Sequence, residues 1–375
     1  MKVLVVFTYG YSLKTWFESG TIERELSIYR ELHKKFQHKF IFVTYGDESD
    51  ENYIQNDAGL EVVPIYKFIN HSEYKLINII KSIAFPFLQI SQFKDIDLIK
   101  QNQLLGSWVS VLFSKLLKKP LFTRTGYDMY KFSIEDKKNV IIKYLYLFLT
   151  NFTLRFSNLY SVSNNADFDY SKKKYSSSKK IILSPNWVLP NKSMEFDSRF
   201  SNRILCVGRL VNQKNFSYII KEFKDSHFEI DIIGEGEEYE SLKHLSSNLN
   251  VKVNFLKNVK NDLLLRKMSE YKYFISSSLF EGHPKTVIEA MSSGCIVFLS
   301  NIQNHSELIT NGKDGFIFNL EKNNLKKIFQ LNVSKSNDLE KVSLNAINKS
   351  ISKFGLEKIC HEENENYNRL QKTNL

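Results

Sequence analysis

Ser276-Ser277-Ser278-Leu279-Phe280-Glu281-Gly282-His283-Pro284-Lys285-Thr286-Val287-Ile288-Glu289-Ala290-Met291-Ser292-Ser293-Gly294 follows an apolar run that ends at Ile275. Serines, then an acidic glycine turn, then a proline that opens a helical pattern read as strand, loop and helix. Pro284 falls where a first helical turn tolerates a missing N–H. Glu281 is therefore expected on the loop before a helix N-terminus, and Glu289 about one turn inside the helix. Unpaired backbone N–H groups at such an end attract anions. A carboxylate beside them serves something other than phosphate, and sugar hydroxyls fit. A capping acid followed by a solvated helix acid would leave the same letters, so this stretch keeps both readings open.

Outward from it the same rhythm recurs. In the second half, Ile204–Gly208, Ile230–Gly234, Val251–Phe255, Tyr273–Ile275, Ile296–Leu299 and Gly315–Phe318 are short apolar runs with helical stretches between several of them. The first half begins with the strand Lys2–Thr8, a polar loop Tyr9–Ser19, and a helix from about Gly20 to Phe36 with Ile22, Leu26, Tyr29, Leu32 and Phe36 at helical spacing. Strands at Phe40–Tyr45 and Leu60–Tyr66 follow, then a helix Leu76–Phe93 kinked at Pro86, and Asp97–Lys100, Leu121–Thr123 and Leu159–Ser163. Such alternation is α/β with parallel sheets. Open sheets of this kind bind ligands at the carboxyl ends of their strands. Gln101-Asn102-Gln103 and Arg124-Thr125-Gly126-Tyr127-Asp128 lie there, which makes Asn102, Arg124, Tyr127 and Asp128 binding candidates. An Arg/Asp pair that braces a loop is the alternative. Lys137–Phe156 is basic, aromatic and apolar at once. Most of its apolar residues are expected to pack on the sheet, although an interfacial helix would look similar. Lys172–Lys180 reads as a polar basic loop.

A chain of 375 residues, 42% hydrophobic and 25% charged, is globular and long enough for two domains. Cys206, Cys295 and Cys360 are too few and too scattered for a disulfide framework or a metal quartet. Met1–Thr8 is too short an apolar run for a signal peptide, and no window reaches the roughly 18 uninterrupted apolar residues of a membrane span. The formal charge of +11 is concentrated: residues 101–180 hold 14 Lys+Arg against 5 Asp+Glu, leaving 38 against 36 elsewhere. An excess of this kind suits an anionic membrane surface, a phosphorylated acceptor or nucleic acid, and a solvated lysine-rich face is the bland alternative. Pro185, Pro190 and the polar segment Asn191–Asn202 mark the boundary. The expected division is a first domain 1–185, a linker 186–202, a second domain 203–350 and a helical tail 351–375 packing back on the first domain.

Gly208-Arg209-Leu210-Val211-Asn212-Gln213-Lys214-Asn215 follows the first strand of the second domain. A glycine turn with Arg209 and Lys214 five apart, opening onto a helix Phe216–Phe223, offers two cations and a helix N-terminus to one anion. A diphosphate fits, and a surface loop with incidental charges is the alternative. Gly234-Glu235-Gly236 lacks the third glycine of a dinucleotide fingerprint and reads as a strand-to-helix turn.

Together these motifs resemble the retaining family 4 glycosyltransferases. The matching residues are Gly208-Arg209-Leu210 with Lys214-Asn215, Gly234-x-Gly236, Phe280-Glu281-Gly282-x-Pro284 with Glu289-Ala290-Met291 and Gly294, and Glu307-Leu308-Ile309 with Gly312 and Asp314-Gly315. The glutamates with seven residues between them are the family's signature. The resemblance implies the GT-B fold, two Rossmann-like domains facing a central cleft. It implies that Arg209 and Lys214 neutralise a donor diphosphate, that Glu281 touches the donor sugar near the reacting carbon, and that Glu289 accepts from ribose hydroxyls. Gly208, Gly282, His283, Pro284 and Lys285 would line the donor, with Gly20 at a helix N-terminus on the other side. No metal and no cofactor are implied beyond the nucleotide diphosphate sugar as co-substrate.

The activity implied is sugar transfer to an acceptor hydroxyl, with a lipid-linked saccharide of surface polysaccharide synthesis as the expected acceptor. The setting expected is cytoplasmic, peripheral on the inner face of the plasma membrane through residues 101–180, with no nucleic-acid partner. A nucleotide-sugar epimerase or phosphorylase on the same fold, or a non-catalytic sugar- or nucleic-acid-binding protein, are the rival readings.

Overall fold

The computed structural model describes residues 1–176, 180–189, 191, 193–334 and 338–372. Its strands are apolar runs returned to the same edge by crossover helices, so the paired strands among the described residues are parallel. The first unit, Met1–Pro185 with Ile359–Leu375, holds β1 (Lys2–Val6), β2 (Lys39–Thr44), β3 (Leu60–Pro64), β4 (Leu98–Asn102), β5 (Leu121–Arg124), β6 (Leu159–Val162) and β7 (Ile181–Leu183), in the order β3-β2-β1-β4-β5-β6-β7. The second, Asn186–Lys358, holds β8 (Phe200–Val207), β9 (Glu229–Ile233), β10 (Val253–Leu256), β11 (Tyr271–Ser276), β12 (Ile296–Ser300) and β13 (Phe316–Phe318), in the order β10-β9-β8-β11-β12-β13. Strand order reverses between β1 and β4 and again between β8 and β11. Crossovers on the two sides of such a point leave opposite faces, so a crevice opens at the strands' carboxyl ends.

Alternation along the strands sorts the second core into two layers. Ile204, Cys206, Ile230, Ile232 and Ile275 pack under Phe216, Ile219 and Ile220. Leu205, Phe274, Val297 and Leu299 face the other way, onto Val287, Ile288 and Met291 of the helix Lys285–Ser292. Each such side chain, fully buried, contributes about 1.5–3 kcal/mol. That helix is thereby fixed to the sheet along its length, and the loop that precedes it has a rigid end.

Several boundaries differ from the sequence reading. The loop Tyr9–Ser19 contains a helix, Leu13–Glu18, started by a capping box between Ser12 and Thr15. Gly20, at φ 71°, closes that helix, and Thr21 precedes the helix Ile22–Phe36. Residues 186–202 are not a free linker: Trp187 and Val188 are buried in the second unit, Val188 bridges to Gly355, and β8 has already begun at Phe200. The two units divide between Pro185 and Asn186, and Val188 joins the core of the second. Lys172–Lys180 is not all loop, because the helix Asn165–Lys174 has Asn164 as its N-cap, Asp167 in its first turn and Lys172, Lys173 and Lys174 in its last, each sign where the helix dipole favours it. Ser177–Lys179 of that stretch, Pro190 and Lys192 of the linker, and Thr373–Leu375 of the tail lie outside the described residues.

The tail is the helix Leu356–Lys372. Within the first unit Glu363 meets Lys100 of β4 at 2.5 Å, with 0% and 1% of the two side chains exposed, and Tyr367 donates to Glu363 at 3.0 Å. The helix Val140–Phe156 departs most from expectation. Leu149 and Leu154 are buried, but Val140, Ile141, Tyr144, Leu145 and Phe148 face outward.

Candidate active site

The loop after β8 is clamped by the turn after β9. Gly208 N–H donates to Ile233, Leu210 N–H to Glu235, and Glu238 N–H back to Leu210, at 2.9–3.0 Å. A Cβ on Gly234 would lie 1.9 Å from the Gly208 carbonyl oxygen, and one on Gly236 2.3 Å from that of Leu210. Gly234-x-Gly236 is thus a close-approach turn between β9 and the helix Tyr239–Asn248, and what it holds is the Arg209 loop. Arg209 itself is exposed, and among the described residues its side chain makes no ion pair.

Lys214 lies along Gly208, its Cε 3.2 Å from where a Cβ would be. A short turn, Asn212–Lys214, and Asn215 at φ 52° separate it from the helix Phe216–Glu222. This turn is stitched to the loop after β11, the neighbouring strand at the order reversal. Leu279 N–H donates to Gln213 at 2.9 Å, Gln213 Nε2 to Phe280 at 2.8 Å, and Ser277 Oγ reaches the carbonyls of Lys214 and Asn215. The result sets the Lys214 ammonium on Glu281 Oε1, to which Ser278 Oγ also donates at 2.6 Å.

The two side chains are 16% and 8% exposed. Burial pushes the Glu281 carboxyl up, but the charge of Lys214, that of His305 once acid protonates its ring, and the bonds from Lys214 and Ser278 outweigh it and hold the group below the usual carboxylate range. Glu281 is ionised at neutral pH, an acceptor only, and both of these donors fall on Oε1.

Behind this loop stands a polar layer to which the sequence reading gave no role. Ser300 Oγ, at the end of β12, donates to the Ser278 carbonyl at 2.7 Å, and Asn304 Nδ2 to that of Gly282 at 2.8 Å. His305 is fully buried, with Nδ1 3.1 Å from the Ser300 carbonyl oxygen and 3.2 Å from its Oγ. Burial lowers its pKa to about 4, only partly offset by Glu281, so the ring is neutral. The available signal was the run Gln303-Asn304-His305, one residue short of Glu307, at a strand's carboxyl end.

Pro284 is the N-cap of the helix Lys285–Ser292, whose first N–H groups have no partner within the helix. His283 is held from behind: Asn186 Nδ2 donates to its carbonyl at 3.0 Å, and its ring meets Phe354 at 5.1 Å. The Lys285 ammonium sits 5.3 Å above the Trp187 ring. Glu289 is buried, 2% exposed, one turn inside the helix as its spacing predicts, and accepts from Asn261 Nδ2 at 2.9 Å. Gly294 caps the helix's far end at φ 83°, where the Arg199 guanidinium would stand 2.7 Å from an added Cβ.

In the first unit, Asn102 closes β4 and hydrogen-bonds the Tyr29 hydroxyl. Arg124 closes β5, nearly buried, with Nη2 on the Pro185 carbonyl at 3.0 Å. Tyr127 is partly buried against Phe132. Asp128 turns inward instead of toward the crevice: it caps the helix Met129–Glu135 through Lys131 N–H, accepts from Tyr175 at 2.7 Å, and burial raises its pKa. In the two Asp-x-Asp pairs of this unit, Asp95, Asp97 and Asp167 are engaged elsewhere. Asp95 and Asp97 both bind Lys2 ahead of β4, and Asp167 of Asp167-Phe168-Asp169 takes Lys131 and the Asp128 N–H.

At the carboxyl ends of β8 and β11 the second unit therefore gathers an exposed arginine, a lysine locked to an ionised glutamate, and a helix start, a set that accommodates a diphosphate and a hydroxyl-bearing group together. Residues 195–348 match the model of the family described as glycosyl transferases group 1. The chain is 30% identical over 192 residues to an uncharacterized glycosyltransferase of Haemophilus influenzae, covering 48% of this chain and 52% of that one. It is 28% identical over 260 residues to the UDP-Gal:α-D-GlcNAc-diphosphoundecaprenol α-1,3-galactosyltransferase of Escherichia coli, covering 62% and 65%. These alignments span about half to two-thirds of the relatives' lengths. Among solved structures, Anabaena HepE in complex with UDP and glucose superposes with a TM-score of 0.77 at 15% identity, over 98% of this chain and 100% of that one. Residues 195–348 thus match the glycosyl transferases group 1 family, and the fold is GT-B.

Proposed function

We propose that this protein transfers a sugar from a nucleoside diphosphate sugar to an acceptor hydroxyl with retention at the reacting carbon. The observation that carries this reading is Glu281, ionised and oriented by Lys214 and Ser278 where strand order reverses, with Arg209 exposed on the neighbouring loop. Arg209 and Lys214 stabilise the diphosphate as it departs, when its charge is greatest. Charge neutralisation by these two side chains leaves no step that requires a divalent metal. Glu281 accepts from a donor-sugar hydroxyl and Glu289 from the ribose. The acceptor attacks the face the diphosphate is leaving: its oxygen bonds to the sugar carbon, the carbon–phosphate oxygen bond breaks, and the hydroxyl proton passes to the departing phosphate.

The E. coli relative's lipid-linked substrate supports a lipid-linked saccharide as acceptor here too, with Asn102, Arg124 and Tyr127 on the acceptor side and the protein peripheral on the cytoplasmic membrane face. The test is a panel of nucleotide sugars screened for thermal stabilisation, since a ligand specific for the folded state raises its stability by mass action, followed by transfer assays with the stabilising donor. Glu281→Gln and Lys214→Ala are expected to lower turnover by ~100-fold or more while the fold is kept. Full turnover in either overturns the assignment, and conversion of the donor alone to an epimer would replace transfer with epimerisation.

A further inference from the structure

Two helices of the first unit are inside out. On Lys75–Gln89 the outward stripe is Leu76, Ile80, Ile83 and Phe87, with Leu76 75%, Ile80 66% and Phe87 56% exposed. The inward positions include Asn78 and Ser82, both buried. On Val140–Phe156 the outward residues are Ile141, Tyr144, Leu145 and Phe148, with Ile141 80% and Phe148 66% exposed, while Thr150 and Thr153 are buried. A helix packed on a soluble core turns its apolar stripe inward and its polar residues to water. These two pack through small polar side chains and a few apolar ones, Phe85 on the first and Leu149 and Leu154 on the second, and present most of their apolar residues outside.

Both helices pack on the same neighbour. The helix Ser107–Leu117 lies between them, its Trp108 Nε1 donating to Ser82 Oγ at 2.9 Å and its Ser107 hydroxyl bonding Thr153 at 2.7 Å. Its Leu116 is exposed as well. All three helices are free of Asp and Glu and carry Lys75, Lys81, Lys115, Lys143 and Arg155. Lys137 and Lys138 stand just before the Val140 end, and Tyr74 and Tyr144 supply the amphipathic rings that settle at headgroup depth.

The geometry points to an anionic lipid bilayer as the occupant of this face, with the two helices lying in the plane of the interface. Acids stand only at the helix approaches, Glu73 on one side and Glu135 and Asp136 on the other, with Asp136 paired to Lys138; an extended apolar stripe with an excess of cations around it is what an anionic leaflet complements. Lys75–Phe93 is long and apolar enough to cross a membrane. Its inward face, however, is tied to the Ser107–Leu117 helix through Ser82 and to Ser72 through Asn78, so it binds the surface instead of spanning it. Electrostatics of residues 101–180 alone do not account for this face, since half of it lies on Lys75–Gln89. The surface is independent of the transfer reaction, and its test does not require a donor or an acceptor.

The full chain is mixed with vesicles of phosphatidylglycerol and phosphatidylcholine, and with phosphatidylcholine vesicles alone, and bound protein is measured by flotation. Binding to the anionic vesicles is expected, at least tenfold weaker with phosphatidylcholine alone. Ile80→Glu with Phe87→Glu, and separately Ile141→Glu with Phe148→Glu, should each reduce flotation at least tenfold. Thermal stability and nucleotide-sugar binding should not change, because these side chains already face outward. No flotation of the unaltered chain with anionic vesicles, or flotation unaffected by both pairs of substitutions, overturns the proposal. A dimer in solution that the same substitutions dissociate, without vesicle binding, also overturns it and assigns the face to a second copy.

Discussion

Mild acid should weaken the second unit through one residue. His305 is fully buried with Nδ1 against Ser300. Burial lowers its pKa from 6.5 to about 4. In the unfolded chain the same ring takes up its proton near pH 6.5. Between those values the unfolded state binds more protons, so stability falls as pH drops through 6.5 and levels off below about 4. At 1.36 kcal/mol per pH unit the full window is worth roughly 3 kcal/mol, about 2 kcal/mol of it between pH 6.5 and 5. Glu281 acts in a separate range. Although burial raises its pKa, Lys214 and His305 bring it below 4.5, so its stabilisation is complete above that value and is lost only as pH falls through the lower folded one. Amide hydrogen exchange of Ile296–Ser300, corrected for intrinsic rates, reads the opening free energy of this unit. The unaltered protein should lose about 2 kcal/mol between pH 6.5 and 5, and His305→Gln, which keeps a donor toward Ser300, less than ~0.5 kcal/mol. Equal losses in both proteins would refute the reasoning.

Arg209→Ala removes an exposed cation with no ion pair among the described residues, so stability should stay within ~0.5 kcal/mol. Calorimetry should still show nucleoside diphosphate affinity falling about 10- to 100-fold, the range for a lost charge-assisted bond. Lys100→Met strands Glu363 in the first unit's core and should cost about 3–5 kcal/mol in denaturant unfolding; the double change Lys100→Met with Glu363→Leu should recover most of it, and a double variant no better than the single one would argue against a buried pair. Gly234→Ala puts a methyl group against the Gly208 carbonyl and should cost ~1–3 kcal/mol while weakening nucleotide binding through the displaced Arg209 loop. Unchanged affinity in that variant would separate the glycine turn from the site.

Much of the fold was legible because a parallel sheet buried on both faces leaves short continuous apolar runs, and both sheets carry theirs where the letters placed them. Ile181–Leu183 was not read as a strand because an edge strand of three residues beside prolines looks like the start of a loop. The candidate site's charged residues could be singled out for a different reason: cations, acids and glycines at strand ends have few structural uses. Asp128 shows the limit, since a residue of that type at a strand end also serves as an N-cap, and only its neighbours Tyr175 and Lys131, remote from it in sequence or hidden in a helical pattern, decide which. His305 and Ser300 were missed because their role depends on a contact across strands, Ser300 to the Ser278 carbonyl. The apolar residues of Val140–Phe156 were expected mostly on the sheet, with an interfacial helix as the alternative, because periodicity fixes that a helix has an apolar stripe but not which way the stripe turns.

The ion pair at the centre of the site also bears on which group takes the acceptor's proton. A carboxylate held below its ordinary pKa by an ammonium and a hydroxyl is a weaker base and a weaker nucleophile than a free one. Glu281 is therefore poorly suited to remove a proton or to form a covalent sugar intermediate, and well suited to accept a hydrogen bond while its negative charge offsets part of Lys214's. That offset has a consequence for the donor. In the proposed reaction Lys214 is shared between a carboxylate and the incoming phosphate, so it would not neutralise a diphosphate alone, and the exposed Arg209 would supply the second charge. As the bond to the sugar breaks, negative charge grows on the diphosphate and makes its oxygen the stronger base of the two. The strength of the Lys214–Glu281 pair thus favours the leaving group as the base in the proposed reaction.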